Sequence, residues 1–438
     1  MDADGFLGTD AAEPAAGRNR PPLPDDALDA LVVVLDHVRL GRSQSRSELV
    51  HRTGLGRAIV SQRVGELIDR GLIVEGAAGP STGGRPPRQL SFRANAGHVL
   101  VADLGATSIG VAITDLGGRI LGHYAEPADV ANGPDQVLSR VVVLFSELHR
   151  TTGGAAGPVW GIGIGVPGPV EFASGRPISP PIMPGWDGYP IRDRFAARFG
   201  GPVWVDNDVN VLALGEWRSG IAQGHDNVVV VKIGTGIGAG IISDGRLHRG
   251  AQGSAGDVGH IQVIDDASVI CRCGNVGCLE ALAGGAALGR HGEAAALEGR
   301  SARLRAAYDE HGELSAEDVA RAAAFGDPVA VDLLQAAGRR VGNMLASVVN
   351  FFNPSLIIIG GGVAQSGDQL LASIRETVYG RSLPLATRQL LIQRASLGLL
   401  GGVIGASALV VDQLFAREVI EQWLPAGRPT GMPEVASA

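Results

Sequence analysis

Apolar residues fall at helical spacing near the head of the chain. Leu28, Leu31, Val32, Leu35 and Val38 follow Asp25 and Asp26 and predict a first helix. A second begins near Ser47, with Leu49 and Val50 facing inward, and Thr53-Gly54-Leu55-Gly56 reads as a turn. A third carries Val60, Val64, Leu67 and Ile68 as its apolar stripe and stops at Gly71. Leu72 to Val74 and Gln89 to Phe92 are short strands on either side of a basic, turn-forming loop, Gly79 to Arg88. Three helices and a hairpin in this order predict a winged helix-turn-helix over residues 25–93. Residues 1–24, rich in Ala, Gly, Pro and Asp, offer little to bury and are expected to form a disordered leader.

The texture changes at Val99. Short apolar strands are predicted at Val99–Asp103, Gly110–Asp115, Trp160–Val166, Val203–Asp206, Val228–Ile233 and Leu356–Ile359, with a helix over Gln136–His149. Glycine-punctuated strands alternating with helices give an α/β body, expected to span residues 97–412, with its motifs at strand ends, where such folds place ligands. Residues 413–438 read as a polar, proline-containing tail.

A length of 438 residues suits about two or three domains. No apolar run reaches the roughly 20 residues of a membrane span, and Met1–Pro24 has no apolar core of a secretory signal. A cytoplasmic protein without membrane contact is expected. The net charge of −8 excludes a uniformly basic nucleic-acid binder, but the charge is unevenly spread. From Asp36 to Arg93 ten arginines face five acids, which leaves the rest of the chain at −13. A basic module on an acidic body suits nucleic acid at one end and a small molecule at the other.

The third helix carries Arg57, Ala58, Ser61 and Gln62 near its N-terminus, where a recognition helix reaches base edges. Arginine pairs bidentately with guanine and glutamine with adenine. In the loop, Gly84-Arg85-Pro86 can lay the Arg85 guanidinium along a narrow minor groove. Operator DNA is the partner expected for Arg57, Ser61, Gln62 and Arg85.

Two glycine loops carry the chemistry of the body. Asp103-Leu104-Gly105-Ala106-Thr107 and Gly234-Thr235-Gly236-Ile237-Gly238 let backbone approach a phosphate. Between them, Asn207-Asp208 ends a strand, where a carboxylate can take the proton of a sugar hydroxyl as general base or cap the following helix. The third constellation is Asp257-Val258-Gly259-His260 followed by Cys271, Cys273, Cys278 and Glu280. Three thiolates and one imidazole complete a closed, structural zinc site, with His260 arriving from a preceding strand. That site would pin Asp257 and Glu280 as carboxylate acceptors for sugar hydroxyls.

Together these residues resemble the ROK family of repressors, open reading frames and kinases, over about Val99–Val410. The resemblance rests on Asp103-x-Gly105-x-Thr107, Asn207-Asp208, the Gly234–Gly240 loop, Gly259-His260, the Cys271–Glu280 stretch and Asn353-Pro354-x4-Ile359-Gly360-Gly361-Gly362. It implies a two-lobed, actin-like sugar-kinase fold with sugar and Mg-ATP in the cleft. It also implies Asp208 as catalytic base, Asn207, Asp208, His260 and Glu280 at the sugar, and Gly360 to Gly362 near the adenosine. The chain departs in having Asp257 where the family usually has Glu, and Ala106 and Ser108 where its kinases usually have Gly and Lys. The N-terminal module is similar to that of the repressor branch. The expected function is a regulator, a repressor of carbohydrate genes, that senses a sugar or sugar phosphate as a homodimer or homotetramer. The alternative is an ATP-dependent, glucose-type hexose kinase that also carries a DNA-binding module.

Overall fold

The structure, a computed structural model, describes residues 23–78, 88–152, 157–365 and 367–437. Arg85 and the leader up to residue 22 lie outside them. The N-terminal module is α1 (Asp25–Arg39), α2 (Arg46–Thr53), α3 (Arg57–Asp69) and an antiparallel hairpin of β1 (Ile73–Ala78) and β2 (Arg88–Phe92). Ser45 caps α2 by accepting from the Glu48 amide, and Gly54 closes it with φ +72°, a left-handed geometry suited to glycine. The expected stripe packs as read: Leu31, Leu35, Leu49, Val60, Val64 and Leu67 are fully buried.

The body contains two five-stranded sheets. The first is built from β3 (His98–Leu104), β4 (Ser108–Asp115), β5 (Ile120–Pro127), α4 (Pro134–Thr151), β6 (Val159–Val166), the small pair β7 (Val170–Glu171) and β8 (Arg176–Pro177), α5 (Ile191–Phe199) and β9 (Val203–Asn207). Helix α6 (Asp208–Ser219) leads to the second sheet, with β10 (Val228–Ile233), β11 (Ile237–Ser243) and β12 (Arg246–His248). Five helices follow: α7 (Leu279–Ala283), α8 (Gly285–Leu297), α9 (Ala302–His311), α10 (Ala316–Ala324) and α11 (Pro328–Phe352). The chain closes with β13 (Leu356–Gly360), α12 (Gly362–Gln365), α13 (Gln369–Arg381), α14 (Pro384–Thr387), β14 (Leu391–Arg394), α15 (Gly401–Leu414) and α16 (Arg417–Trp423).

The strand orders are β5-β4-β3-β6-β9 and β12-β11-β10-β13-β14. Each sheet is an antiparallel meander of its first three strands, extended on the other side by two parallel strands. The same topology is therefore used twice, the two-lobed arrangement that the resemblance implies. Helices α6 and α15 pack closely between the two sheets. A side chain on Gly405 would fall on the carbonyl oxygen of Val211, and one on Gly215 on that of Gly401.

The C-terminal residues correct the reading of 413–438 as a polar tail. Trp423 is fully buried, its indole donating to the Leu414 carbonyl at 2.8 Å, and Val435 is buried as well. This segment packs against the N-terminal module. Arg417 pairs with Asp25 and Asp29 on α1, Arg70 donates to the Leu424 carbonyl, and the Phe92 and Phe415 rings meet edge to face at 5.5 Å. One apolar cluster runs from Leu31 and Leu67 through Trp160 to Val410 and Trp423. The apolar residues of this stretch are scattered among Pro, Gly and charge, so no periodicity announced them. Among the described residues no single helix is long and apolar enough to cross a membrane.

Candidate functional site

A cavity of about 740 Å³ opens between the two sheets. The turn after β3 supplies Gly105 and Thr107, the turn after β10 supplies Gly234, Thr235 and Gly236, and the start of β11 supplies Gly238. Asp103, Asn207, Asp208, Asp257, His260, Glu280, Gly361 and Gly362 also line it. Residues spread over some 260 positions thus converge on one cleft. Gly360 stands behind the wall, buried on β13 opposite Lys232.

The loops are braced by hydrogen bonds. The Gly105 amide donates to the Ser108 carbonyl at 2.9 Å, and the Gly285 amide to the Gly234 carbonyl at 2.8 Å. Glu280, in the first turn of α7, accepts from the Ile237 amide at 3.0 Å. A side chain on Gly236 would meet that same carboxylate, which would have to move aside.

Asn207 caps α6. Its side-chain oxygen accepts from the Val209 amide at 2.9 Å and its amide donates to the Gly168 carbonyl at 2.9 Å. Both ends of the side chain are engaged in shaping the corner that presents Asp208. Buried Asp206, which the sequence reading passed over, accepts from the Asn207 amide at 2.8 Å, from Asn210 Nδ2 at 2.8 Å and from Arg249 Nε at 2.8 Å. Asp208 is 9 % exposed at its side chain and bonds Lys232 Nζ at 2.7 Å. Asp103 presents a buried Oδ1 without a hydrogen-bond partner among the described residues. Burial pushes its carboxyl above the usual range, nearby Lys232 pulls it back down, and Asp208 adds to the rise.

Lys232 is the main residue missed in sequence. It ends the run Val228-Val-Val-Val-Lys232, which reads as a buried strand, and it is the only lysine in the chain. A single polar residue in such a run, of a type used nowhere else, was the available signal.

Below the cleft, His260 and the three cysteines meet. His260 sits in a one-turn 3₁₀ helix, Val258–His260, and not on the strand expected for it, because Gly256 and Gly259 press tightly on β11 and turn the chain. Its Nδ1 lies 3.5 Å from Cys271 Sγ, and Cys273 Sγ lies 3.8 Å from Cys278 Sγ. All four donor atoms fall within 4.8 Å of one another. Sulfur ligands about 2.3 Å from a tetrahedral zinc stand about 3.8 Å apart, so the donor set fits zinc. Burial pushes the Cys278 thiol up to about 12, and the neighbouring cysteines push the same way, so a bound cation is what would let these sulfurs ionise. The other ring nitrogen of His260, Nε2, faces Asp257 Oδ1 at 3.8 Å, toward the cleft. One imidazole therefore spans the cysteine cluster and the cavity.

On the N-terminal module, Arg57, Ala58, Ser61 and Gln62 are all exposed on one face of α3, while Arg63 turns inward to Glu66 at 2.7 Å. Arg39, near the end of α1, pairs with Asp412 on α15 at 3.3 Å, and Asp412 also bonds Arg218 at the far end of α6. A continuous path runs from Asp208 along α6 to Arg218, then through Asp412 to α1.

A model of the ROK family matches residues 99–413. A putative xylose repressor from Caldicellulosiruptor is 32% identical over 394 residues, covering 88% of this chain and 95% of that protein. A crystal structure of a ROK family transcriptional regulator, a homolog of the E. coli MLC protein, superposes with a TM-score of 0.74 at 30% identity, over 94% of this chain and 99% of that one. A ROK family glucokinase from Streptomyces griseus, in complex with glucose and AMPPNP, gives 0.62 at 31% identity, over 72% of this chain and 99% of that one.

Proposed function

The chain belongs to the ROK family, and on that premise we propose that it is a DNA-binding repressor of carbohydrate genes, relieved or reinforced by a sugar or sugar phosphate. It acts in the cytoplasm as a homodimer or homotetramer on operator DNA, whose half-sites would mirror the two-fold symmetry. The observation that carries this reading is the pairing of two features in one chain. An exposed Arg57/Ser61/Gln62 face lies on a module that shares its core with the cleft-bearing body. The likeness to repressors supports it, because it extends over nearly the whole chain, whereas the glucokinase accounts for 72% of it.

In this reading Asp208, Asp257, His260 and Glu280 hold the sugar, and Asn207 shapes their corner and meets the ligand from its edge. His260, Cys271, Cys273 and Cys278 would hold a zinc ion whose contribution would be structural, tying the 3₁₀ turn to the cysteine loop and orienting the imidazole. A ligand changes DNA affinity only through unequal affinity for two states of the protein. The α6–Asp412–α1 path gives a cleft rearrangement a direct route to the DNA-binding module.

A second reading, an ATP-dependent hexose kinase carrying a DNA-binding module, is favoured by one observation: both glycine loops and Asp208 open onto a single cavity. There Asp103, Gly105, Thr107, Gly234, Thr235, Gly236, Gly238, Gly361 and Gly362 would surround the nucleotide of Mg-ATP, with Gly360 behind them, and Asp208 would accept the hydroxyl proton. Sugar-dependent ATP consumption tests it, with Asp208→Asn as the inactive control.

The repressor reading is tested by selecting bound fragments from genomic DNA and measuring their affinity at one salt concentration, since phosphate contacts make affinity salt-dependent. Arg57→Ala and Gln62→Ala should each cost the selected site about 1–3 kcal/mol while leaving unrelated DNA nearly unchanged. Equal losses on both DNAs would mean that α3 does not read bases.

A further inference from the structure

Lys232 carries information that the reading above does not use. Every other Lys or Arg position in the chain is arginine, yet the one lysine stands on the cleft floor. Its two cross-strand partners are both glycine, Gly238 on β11 and Gly360 on β13. Side chains there would press on Val209 and Leu212 of α6, so the two glycines let α6 lie close over the strand end, and the lysine reaches Asp208, the first residue of that helix. The ammonium is compact and carries three donors, where a guanidinium is broad, planar and forked. One donor goes to Asp208 Oδ2 at 2.7 Å, and the side chain stays 23 % exposed toward the cavity. Burial works against its charge, but Asp208 and Asp103 outweigh that and hold it protonated well above the usual lysine range. Lys232 is thus a fixed cation and not a nucleophile.

The charges on the floor decide which ligand suits it. They are two carboxyl groups, Asp103 and Asp208, and one ammonium. A hydroxyl gives one hydrogen and accepts another, so it can donate to Asp208 and accept from Lys232 at once. A phosphate ester offers acceptors only. Set at the same place, it would gain one cation and meet the Asp208 carboxylate at short range in a site of low dielectric, where like charges repel strongly. We propose that Lys232 and Asp208 form a donor–acceptor pair that reads one hydroxyl of an unphosphorylated sugar, so that the cleft selects free sugars over their phosphate esters. The inference rests on the sugar-sensing reading above and narrows its ligand class. It also gives Asp208 a standing partner that holds its carboxylate in place for binding.

Because Lys232 is the sole lysine, growth on [ε-¹³C]lysine gives the full-length protein a single lysine carbon signal in NMR. D-xylose, D-glucose, D-xylose 5-phosphate and D-glucose 6-phosphate are titrated in, with dissociation constants taken by calorimetry on the same samples. The expected result is that a free sugar shifts the Lys232 signal and binds at least tenfold tighter than its own phosphate, on the order expected for a hydrogen bond to a charged group. Lys232→Met should weaken that sugar by about tenfold or more. Should that variant fail to fold, the wild-type comparison decides alone. A phosphate ester that binds tighter than its free sugar, or a saturating sugar that leaves the lysine signal unmoved, overturns the proposal while leaving sugar sensing intact. No binding by either class overturns both.

Discussion

The two sheets have one topology and opposite chemistry. In the first, Asp103 is the penultimate residue of β3, flanked by Gly110 on the antiparallel side and Gly165 on the parallel side. In the second, Lys232 is the penultimate residue of β10, flanked by Gly238 and Gly360 in the same two relations. Matching backbone positions therefore carry an acid in one half and an ammonium in the other, each flanked by glycine on both sides. Each precedes a glycine turn on the cleft. The duplicated framework supplies two strand ends that face each other, and side-chain choice at one equivalent position makes the floor of the cavity dipolar. Further differences between the halves are added outside the sheets. The second lobe alone carries the cysteine loop, and the N-terminal module packs on the side of the first.

The comparison breaks most completely where the halves are joined. Helices α6 and α15 approach so closely that a Cβ on Gly405 would overlap the Val211 carbonyl. Gly405→Val should cost about 3 kcal/mol or more, since the obstruction is backbone and cannot swing aside. Chemical denaturation should show loss of the single cooperative transition or a strongly lowered midpoint.

The cysteine loop, which has no counterpart in the first lobe, gives the next effect. Purified protein should contain about one zinc per chain by elemental analysis. Cys273→Ser, or exhaustive chelation, should remove the metal, destabilise the second lobe and blunt sugar binding, because metal binding is coupled to folding. Metal-free protein with an unchanged melting temperature would make the loop a chance cluster.

His98 distinguishes the first sheet through pH. It opens β3, buried against Gly157 and 5.7 Å from His149, and burial, aided by His149, lowers its pKa to about 4. The matching position before β10 is Asn227, which does not titrate. The unfolded histidine takes up its proton near pH 6.5, above the folded value. Its contribution is therefore complete above pH 6.5 and is lost as pH falls toward 4, amounting to about 2–3 kcal/mol. Urea melts between pH 7.5 and 4 should show this slope in the wild type and a shallower one in His98→Asn.

The smallest effect concerns the tie from the joined halves to the N-terminal module. Asp412→Ala releases both Arg39 and Arg218. Asp412 is 26 % exposed, so the loss in stability should stay near 1 kcal/mol. The response of DNA affinity to sugar should fall by more than stability does. Fluorescence anisotropy with and without sugar separates the two.

Local order in the sequence accounts for what it revealed. The N-terminal helices were legible because Leu28 to Val38 and Val60 to Leu67 keep a helical period, and the cysteine cluster because three cysteines fall within eight positions. The glycine turns were legible as loops, and the structure adds that the Glu280 carboxylate lies against Gly236. What remained hidden depends on partners far apart in the chain. Arg39 and Asp412 are 373 positions apart, and nothing near either one signals the other. Lys232 acquires meaning only once the fold sets it against Asp208. Trp423 lies in a stretch whose composition suggests solvent, and its burial follows from the surface made by Trp160 and Phe415.

The central claim is that the cleft and the N-terminal module, proposed above to bind DNA, share one equilibrium. It is tested by the affinity of full-length protein for its selected operator, measured at fixed salt with and without a saturating sugar that calorimetry has shown to bind. The account predicts a change of about 5- to 150-fold, the usual range of coupling free energies, with operator DNA changing sugar affinity by the same factor. Identical operator affinity in the two titrations would contradict it.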